Sequence, residues 1–153
     1  MTVPSQNPIL SDSPPDNAFE SFDRVRWADS DPMGIIYYGA YVRLIGVAED
    51  EMFRACGLPF SELRLGRGVW IPRKAFTLEF HSPAELDEAV VVQGWFANVG
   101  RTSITMRFEV YRASDRAHRA SGALTVVCVD REAIRPKPLP EDVKAMLKPF
   151  TAP

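Results

Sequence analysis

Tyr38-Gly39-Ala40-Tyr41-Val42-Arg43-Leu44-Ile45-Gly46-Val47-Ala48-Glu49-Asp50-Glu51-Met52-Phe53-Arg54-Ala55 is the stretch whose periodicity decides the fold. Tyr41, Ile45, Ala48 and Met52 recur at helical spacing, and Val42, Leu44 and Phe53 widen the apolar stripe. Gly57 and Pro59 follow as a stop signal, because glycine accepts the left-handed turn that ends helices and proline cannot continue one. A helix apolar on more than one flank is expected to be enclosed rather than laid on a surface. Its tyrosines and methionine then read as core packing.

On either side of this helix the period drops to two. Upstream, Phe19, Val25 and Trp27 are separated by Asp23, Arg24 and Arg26, which predicts a half-buried strand from Phe19 to Ala28. Downstream, after a loop rich in glycine and arginine (Arg64, Gly66, Arg67, Gly68), Phe76, Leu78 and Phe80 alternate with Thr77, Glu79 and His81. Val90, Val92 and Phe96, then Ile104, Met106, Phe108 and Val110, then Leu124, Val126 and Cys128 continue the series. Asn98-Val99-Gly100 and Ala113-Ser114-Asp115 suit tight antiparallel connections. Val143, Met146 and Leu147 mark one face of a short helix within Pro140–Phe150. Strands that follow one another without intervening helices predict a mostly antiparallel sheet. The expectation is an α+β fold, the sheet wrapped around one long helix. Residues 1–17, rich in Pro, Ser, Asn and Asp, read as a mobile tail, leaving residues 18–150 as one domain.

Composition narrows the function. The 153 residues fit one domain, and 18 basic against 20 acidic residues lack the basic stripe of a nucleic-acid binder. The start MTVPSQNPILSDSPPDN has neither a basic opening nor an apolar core, so it is not read as a signal peptide. The apolar stretch around Ala123–Val129 is too short to span a membrane, so no membrane insertion and a cytoplasmic location are expected. Cys56 and Cys128 fit neither a disulfide framework nor a metal site and read as buried thiols. No metal-ligand cluster and no glycine-rich nucleotide loop is found. Ser61, Ser103 and Ser121 lack a nucleophile elbow, and His81 and His118 read as ordinary surface or interface histidines. Glu49, Asp50 and Glu51 read as a solvated or interface face of the helix.

One segment carries chemistry. In Asp29-Ser30-Asp31-Pro32-Met33-Gly34, the order Asp-Pro-x-Gly suits a type I turn from Asp31 to Gly34, just before the helix. A carboxylate there is aimed away from the core and lies close to the free N–H groups of a helix start. Hydrolysis at an acyl carbonyl needs both: one group to attack or to activate water, another to hold the oxyanion. By spacing alone, however, Asp31 reads as a turn former, and Asp29 as a turn or hydrogen-bond partner.

Arg26-Trp27-Ala28-Asp29-Ser30-Asp31-Pro32-Met33-Gly34-Ile35-Ile36-Tyr37-Tyr38, continuing to Tyr41 and to Cys56-Gly57-Leu58-Pro59, closely resembles the signature of the 4-hydroxybenzoyl-CoA thioesterase family. Pro72-Arg73-Lys74 through Phe80, Ser82-Pro83-Ala84, Leu86-Asp87, Val126–Asp130 and Arg135–Pro140 are similar to its Tol-Pal-associated branch. At Tyr38 the chain departs from that branch, which carries histidine, and matches the aromatic-thioester branch. The resemblance covers roughly residues 20–142. It implies a hot-dog fold, hydrolysis of a small aromatic or short-chain acyl-CoA, and a dimer or tetramer with the active site at a subunit interface. Asp31 is then the catalytic carboxylate, as nucleophile or general base, and the backbone N–H of Tyr38 polarises the carbonyl. Tyr37 and Tyr41 are expected to line the acyl pocket. Arg101, with Arg73 and Lys74, is expected near the CoA phosphates, since guanidinium groups bind phosphate bidentately. CoA is part of the substrate, so no separate cofactor is expected. The alternatives are a thioesterase acting on acyl carrier protein and a non-catalytic hot-dog protein that binds acyl-CoA.

Overall fold

In the computed structural model, which describes residues 5–153, the alternating segments form one antiparallel sheet. Its strands are β1 (Phe19–Arg24), β2 (Arg73–Phe80), β3 (Ala89–Val99), β4 (Ser103–Arg112) and β5 (His118–Val127), in the spatial order β1-β3-β4-β5-β2. The long helix α1 (Ala40–Ala55) lies between β1 and β2 in sequence, and a short helix α2 (Glu141–Met146) follows the sheet. This is the expected hot-dog arrangement.

The helix is enclosed because its stripe has a matching sheet face. Tyr41, Leu44, Ile45, Ala48, Met52 and Phe53 are buried together with Val90, Val92, Phe96, Met106, Phe108 and Val110. Each such side chain contributes roughly 1.5–3 kcal/mol by leaving water. Gly122 permits the close approach of α1 to the sheet: a Cβ there would lie 2.9 Å from Ile45 Cδ1.

Several expectations need correction. The first strand ends at Arg24, not Ala28, because the Asp29 carboxylate accepts the Arg26 N–H at 2.9 Å and folds Trp27–Asp29 into a 3-10 turn. Trp27 is thereby turned out of the pleat and is 82% exposed. Phe76 and Phe80 face the helix side yet remain exposed, because β2 is the sheet edge and has no strand beyond it among the described residues. The segment expected to be a mobile tail is partly laid down. Its residues 1–4 lie outside the described ones, but Pro8–Leu10 form a 3-10 turn in which Leu10 is buried. The Leu10 carbonyl accepts a bond from Arg107 Nη2 at 3.2 Å.

That contact contributes to covering the face of the sheet away from α1, which is not a solvated one. Arg107, Glu109, His118 and Ser121 are buried there. Arg107 Nη2 donates to Glu109 at 2.7 Å, and His118 Nε2 lies 2.6 Å from Glu109 Oε2. The His81 and His118 rings stack at 4.2 Å. These histidines belong to a buried polar network rather than to a surface, since charge pairs and hydrogen bonds must replace the lost water.

Candidate active site

Asp29 and Asp31 sit in one hairpin with different tasks. Asp29 is buried and accepts from Arg43 Nε at 2.8 Å and from the Arg26 backbone. The Arg43 bond, against the opposing effect of burial, holds the Asp29 carboxyl below its ordinary range. Asp29 is thus the hydrogen-bond partner the sequence suggested. Its clamp, Arg43, was not singled out; the signal was a lone charge in the otherwise uncharged opening turns of the helix.

Asp31 opens the predicted turn. Gly34 N–H donates to the Asp31 carbonyl at 3.0 Å and Asp31 N–H donates to Ile35 O at 2.8 Å. Gly34 takes φ +78°, a left-handed conformation that glycine adopts without strain. The Asp31 side chain accepts only the Met33 N–H, at 2.8 Å, among the described residues. The hairpin is fixed from behind, where Ile36 N–H donates to Ala84 O and Leu86 N–H to Gly34 O.

The chain then enters α1. Tyr37 N–H donates to Asp29 O at 3.0 Å, and the carbonyls of Tyr37, Tyr38 and Gly39 accept from the first turn of the helix. The N–H groups of Tyr38 and Gly39 donate to no acceptor among the described residues. Two unused donors at a helix mouth form a site for negatively charged oxygen.

Two clefts flank the hairpin. One of about 330 Å³ is lined by Trp27, Ser30, Asp31, Pro32, Gly34 and Leu86. The other, about 430 Å³, is walled by Ile35, Ile36, Tyr38, Tyr41 and Phe80, with His81, Ser82 and Pro83. Asp31 and Tyr38 therefore line different clefts, with Gly34–Ile36 between them. Tyr41 is buried, 5.5 Å from the Phe80 ring, and burial pushes its phenol up to about 12, so it stays protonated at neutral pH. Tyr37 and Tyr38 meet edge-on at 6.4 Å, both exposed.

The basic candidates lie elsewhere. From Ala89, beside the hairpin, β3 runs 11 residues to Val99, next to Arg101. At 3.2–3.4 Å per residue that strand spans roughly 35 Å. Arg73 pairs with Val126, which also faces Ile104, so Arg73 and Lys74 share the Arg101 end of the sheet. Lys74 and Arg101 are exposed. Arg73 Nη2 is held by both oxygens of Glu49 at 2.7 Å. Glu49, expected on a solvated or interface face, is buried, because α1 turns that flank toward the body of the protein. Within one protomer Asp31 lies on one side of the hairpin and Tyr38 and Tyr41 on the other, while Arg73, Lys74 and Arg101 lie at the far end of the sheet.

Comparison with known proteins agrees with this architecture. The family model of the thioesterase-like superfamily matches residues 25–147. The acyl-CoA thioester hydrolase YbgC of Escherichia coli O6:H1 is 30% identical over 125 residues, covering 82% of this chain and 92% of that one. The crystal structure of a thioesterase-superfamily protein from Jannaschia sp. CCS1 superposes with a TM-score of 0.85 at 27% identity, covering 94% of this chain and 100% of that one. The 4-hydroxybenzoyl CoA thioesterase of Pseudomonas sp. strain CBS-3 shares the fold, with a TM-score of 0.76 at 24% identity over 84% of this chain and 98% of that one.

Proposed function

The chain belongs to the thioesterase-like superfamily, and from that premise we propose that it hydrolyses a small aromatic or short-chain acyl-CoA with Asp31 as its carboxylate. The observation that carries the reading is one hairpin that leads from an Asp31 carboxylate bonded, among the described residues, only to Met33 N–H to a helix mouth whose Tyr38 and Gly39 N–H groups are unused. Asp31 takes a proton from water as the water oxygen adds to the thioester carbonyl, or adds to the carbonyl itself to give a mixed anhydride that water then opens. In either case the carbonyl oxygen becomes an anion and the Tyr38 N–H stabilises it. The C–S bond breaks, and CoA leaves as a thiolate that takes up the proton. No separate cofactor is required. In acyl-transfer enzymes the loss of one oxyanion donor costs about 3–4 kcal/mol.

A second copy of the chain completes the site. Among the described residues the edge strand β2 leaves one row of backbone groups unpaired, and it exposes Phe76 and Phe80. An edge of this kind is a template for another strand. Antiparallel pairing of β2 with β2 of a second copy carries the partner's Arg73 and the partner's Lys74 toward Phe80, and hence toward the Tyr41 cleft. The acyl group then lies against Tyr37 and Tyr41, with CoA phosphates near the partner's Lys74 and the partner's Arg101. This arrangement answers the separation, within one protomer, of the carboxylate from the cations. Two buried, unpaired thiols accord with the reducing cytoplasm.

The test is thiol release from benzoyl-, hydroxybenzoyl-, phenylacetyl- and short-chain CoA esters by wild-type protein and Asp31→Asn. The variant is expected to lose turnover by orders of magnitude with unchanged thermal stability. Equal rates for the two proteins would remove Asp31 from the reaction.

A further inference from the structure

The wall between the Asp31 carboxylate and the helix mouth, Gly34–Ile36, leans on one other segment of the chain. Ile36 N–H donates to Ala84 O at 2.8 Å, Leu86 N–H donates to Gly34 O at 3.1 Å, and Ile35 bridges to Glu85. The placement of Asp31 relative to the Tyr38 N–H therefore depends on where residues 82–88 lie. That segment belongs to neither a helix nor a strand. Its Asp87 takes φ +67°, a conformation that residues other than glycine seldom hold without support from their surroundings.

One buried side chain grips both ends of this segment. The Arg119 guanidinium donates to Ser82 Oγ through Nη1 at 2.8 Å, and to the Glu88 carboxylate through Nε at 2.9 Å and Nη2 at 2.6 Å. The Arg119 carbonyl accepts the N–H groups of His81 and Ser82 at 2.9 and 3.3 Å. The Arg119 and Glu88 side chains are 8% and 7% exposed, so each charge relies on the other in place of water. A second cation, Arg112, lies 3.9 Å from Glu88 but is bonded through two nitrogens to Asp115.

The strand that carries Arg119 is irregular at that residue. Val110 pairs with Ala120 and Tyr111 with His118, so Arg119 is the extra residue of a β-bulge in β5. Bulges re-aim a side chain and are frequent beside active sites. The pair with Glu88 compensates the buried charge. The further bond to Ser82 fixes the spacing between the two ends of the segment.

Resting on the reading of Asp31 as the reacting carboxylate, we propose that Arg119 is a positioning residue for thioester hydrolysis. By spanning Ser82 and Glu88 it sets the Gly34–Ile36 wall, and with it the alignment of Asp31 with the Tyr38 N–H. A planar guanidinium holds both ends at once, whereas the single nitrogen of a lysine holds one.

Arg119→Lys tests this, because it keeps the buried charge and its pairing with Glu88 but gives up the span. Full-length wild type and variant are compared in thiol release, with the acyl-CoA ester that the wild type turns over fastest, and in amide hydrogen exchange. The kcat is expected to fall by about tenfold or more, with KM and melting temperature close to wild type. The amides of Ile36 and Leu86 are expected to exchange faster, and those of β4 at the wild-type rate. Ser82→Ala leaves the ion pair whole and gives a second reading should Arg119→Lys fold poorly; it is expected to lower kcat and to speed the same two amides. An unchanged kcat in a folded variant, a rise in KM in place of the fall in kcat, or unaltered exchange at Ile36 and Leu86 overturns the proposal. So does a loss of activity matched by faster exchange throughout the sheet, which would leave Arg119 with a part in stability alone. Asp31→Asn separates the two readings. A wild-type rate in Asp31→Asn removes the reaction reading and this inference with it. An inactive Asp31→Asn beside a fully active Arg119→Lys removes only this inference.

Discussion

Asp29 grips Arg43 through two side-chain bonds, Nε to Oδ1 at 2.8 Å and Nη2 to Oδ2 at 2.5 Å, and so ties the hairpin of Asp31 to the first turns of α1. Arg43 also reaches Asp23 on the other side, at 3.0 Å. The motif's two carboxylates thereby divide the work: one is spent on geometry, and the other is left with a single backbone bond.

Asp29→Asn keeps the size of the side chain but removes the charge that holds Arg43. It is expected to lower stability by about 1–2 kcal/mol, discounted because Arg43 is partly exposed. The pH dependence has a definite sign. The Asp29 carboxyl is depressed in the folded state, chiefly by its bond from Arg43, so its contribution is present above the unfolded value and is lost as pH falls through the folded one. Thermal melts of wild type and variant should therefore differ at pH 7 and converge in strong acid. A gap that persists in acid would show that the loss is steric rather than electrostatic.

If β2 pairs with itself across a two-fold axis, its outward N–H groups make the interface. His81 N–H donates inward to Arg119 O, and the alternation of a strand then turns the N–H groups of Phe80, Leu78 and Phe76 outward. Phe76→Pro removes one outward donor and no bond to β5. Sedimentation should show a folded monomer, and thiol release should fall with dimer content. A Phe76→Pro protein that remains dimeric would place the interface on another surface.

The legible part of the fold is the part set by local period. The α1 stripe and the alternation of β3 and β4 each fix a buried face by residues close in sequence. Trp27 was misread because its exposure is decided by Asp29, whose own position depends on Arg43, 14 residues away. Polar Arg107, Glu109 and Ser121 alternate as a solvated face would, and contacts from distant segments, Leu10 on Arg107 and His81 on His118, help make that face interior. In the site, the Asp31 turn could be read from Asp-Pro-x-Gly, since turn chemistry is local. The separation of Arg101 from Asp31 could not, because it follows from strand direction and sheet order.

The polar network on that covered face predicts acid sensitivity. The His81 side chain is buried against the His118 ring, and its Nε2 lies 2.9 Å from Ser121 Oγ. Burial first, and the charge of His118 second, hold His81 below its ordinary value, against smaller opposing effects of Glu79 and Glu109. The unfolded chain therefore takes up this proton before the folded one, and stability present above about pH 6.5 is lost as the pH falls. Calorimetric melting temperatures should drop between about pH 7 and pH 5, and His81→Gln should flatten that drop. An equally steep profile in the variant would assign the sensitivity to other groups.

Glu49 offers the strongest test of the interface. Burial raises its carboxyl, and the bonds and charge of Arg73 only partly oppose that effect. A carboxyl raised on folding favours the folded state below its unfolded value and weighs against it once pH passes the folded one. Glu49→Gln removes that burden, and the half-exposed Arg73 can turn to water. The variant is expected to melt at or above the wild-type temperature at pH 7, with the difference closing as pH falls through the raised folded value and gone by about 4.5. Freed from Glu49, the partner's Arg73 becomes available to CoA phosphates across the interface, so KM for acyl-CoA should fall severalfold with kcat unchanged. Arg73→Gln added to the Glu49→Gln variant should abolish that gain. A KM unmoved by Glu49→Gln would leave Arg73 a structural partner of α1, with the phosphates held by other cations.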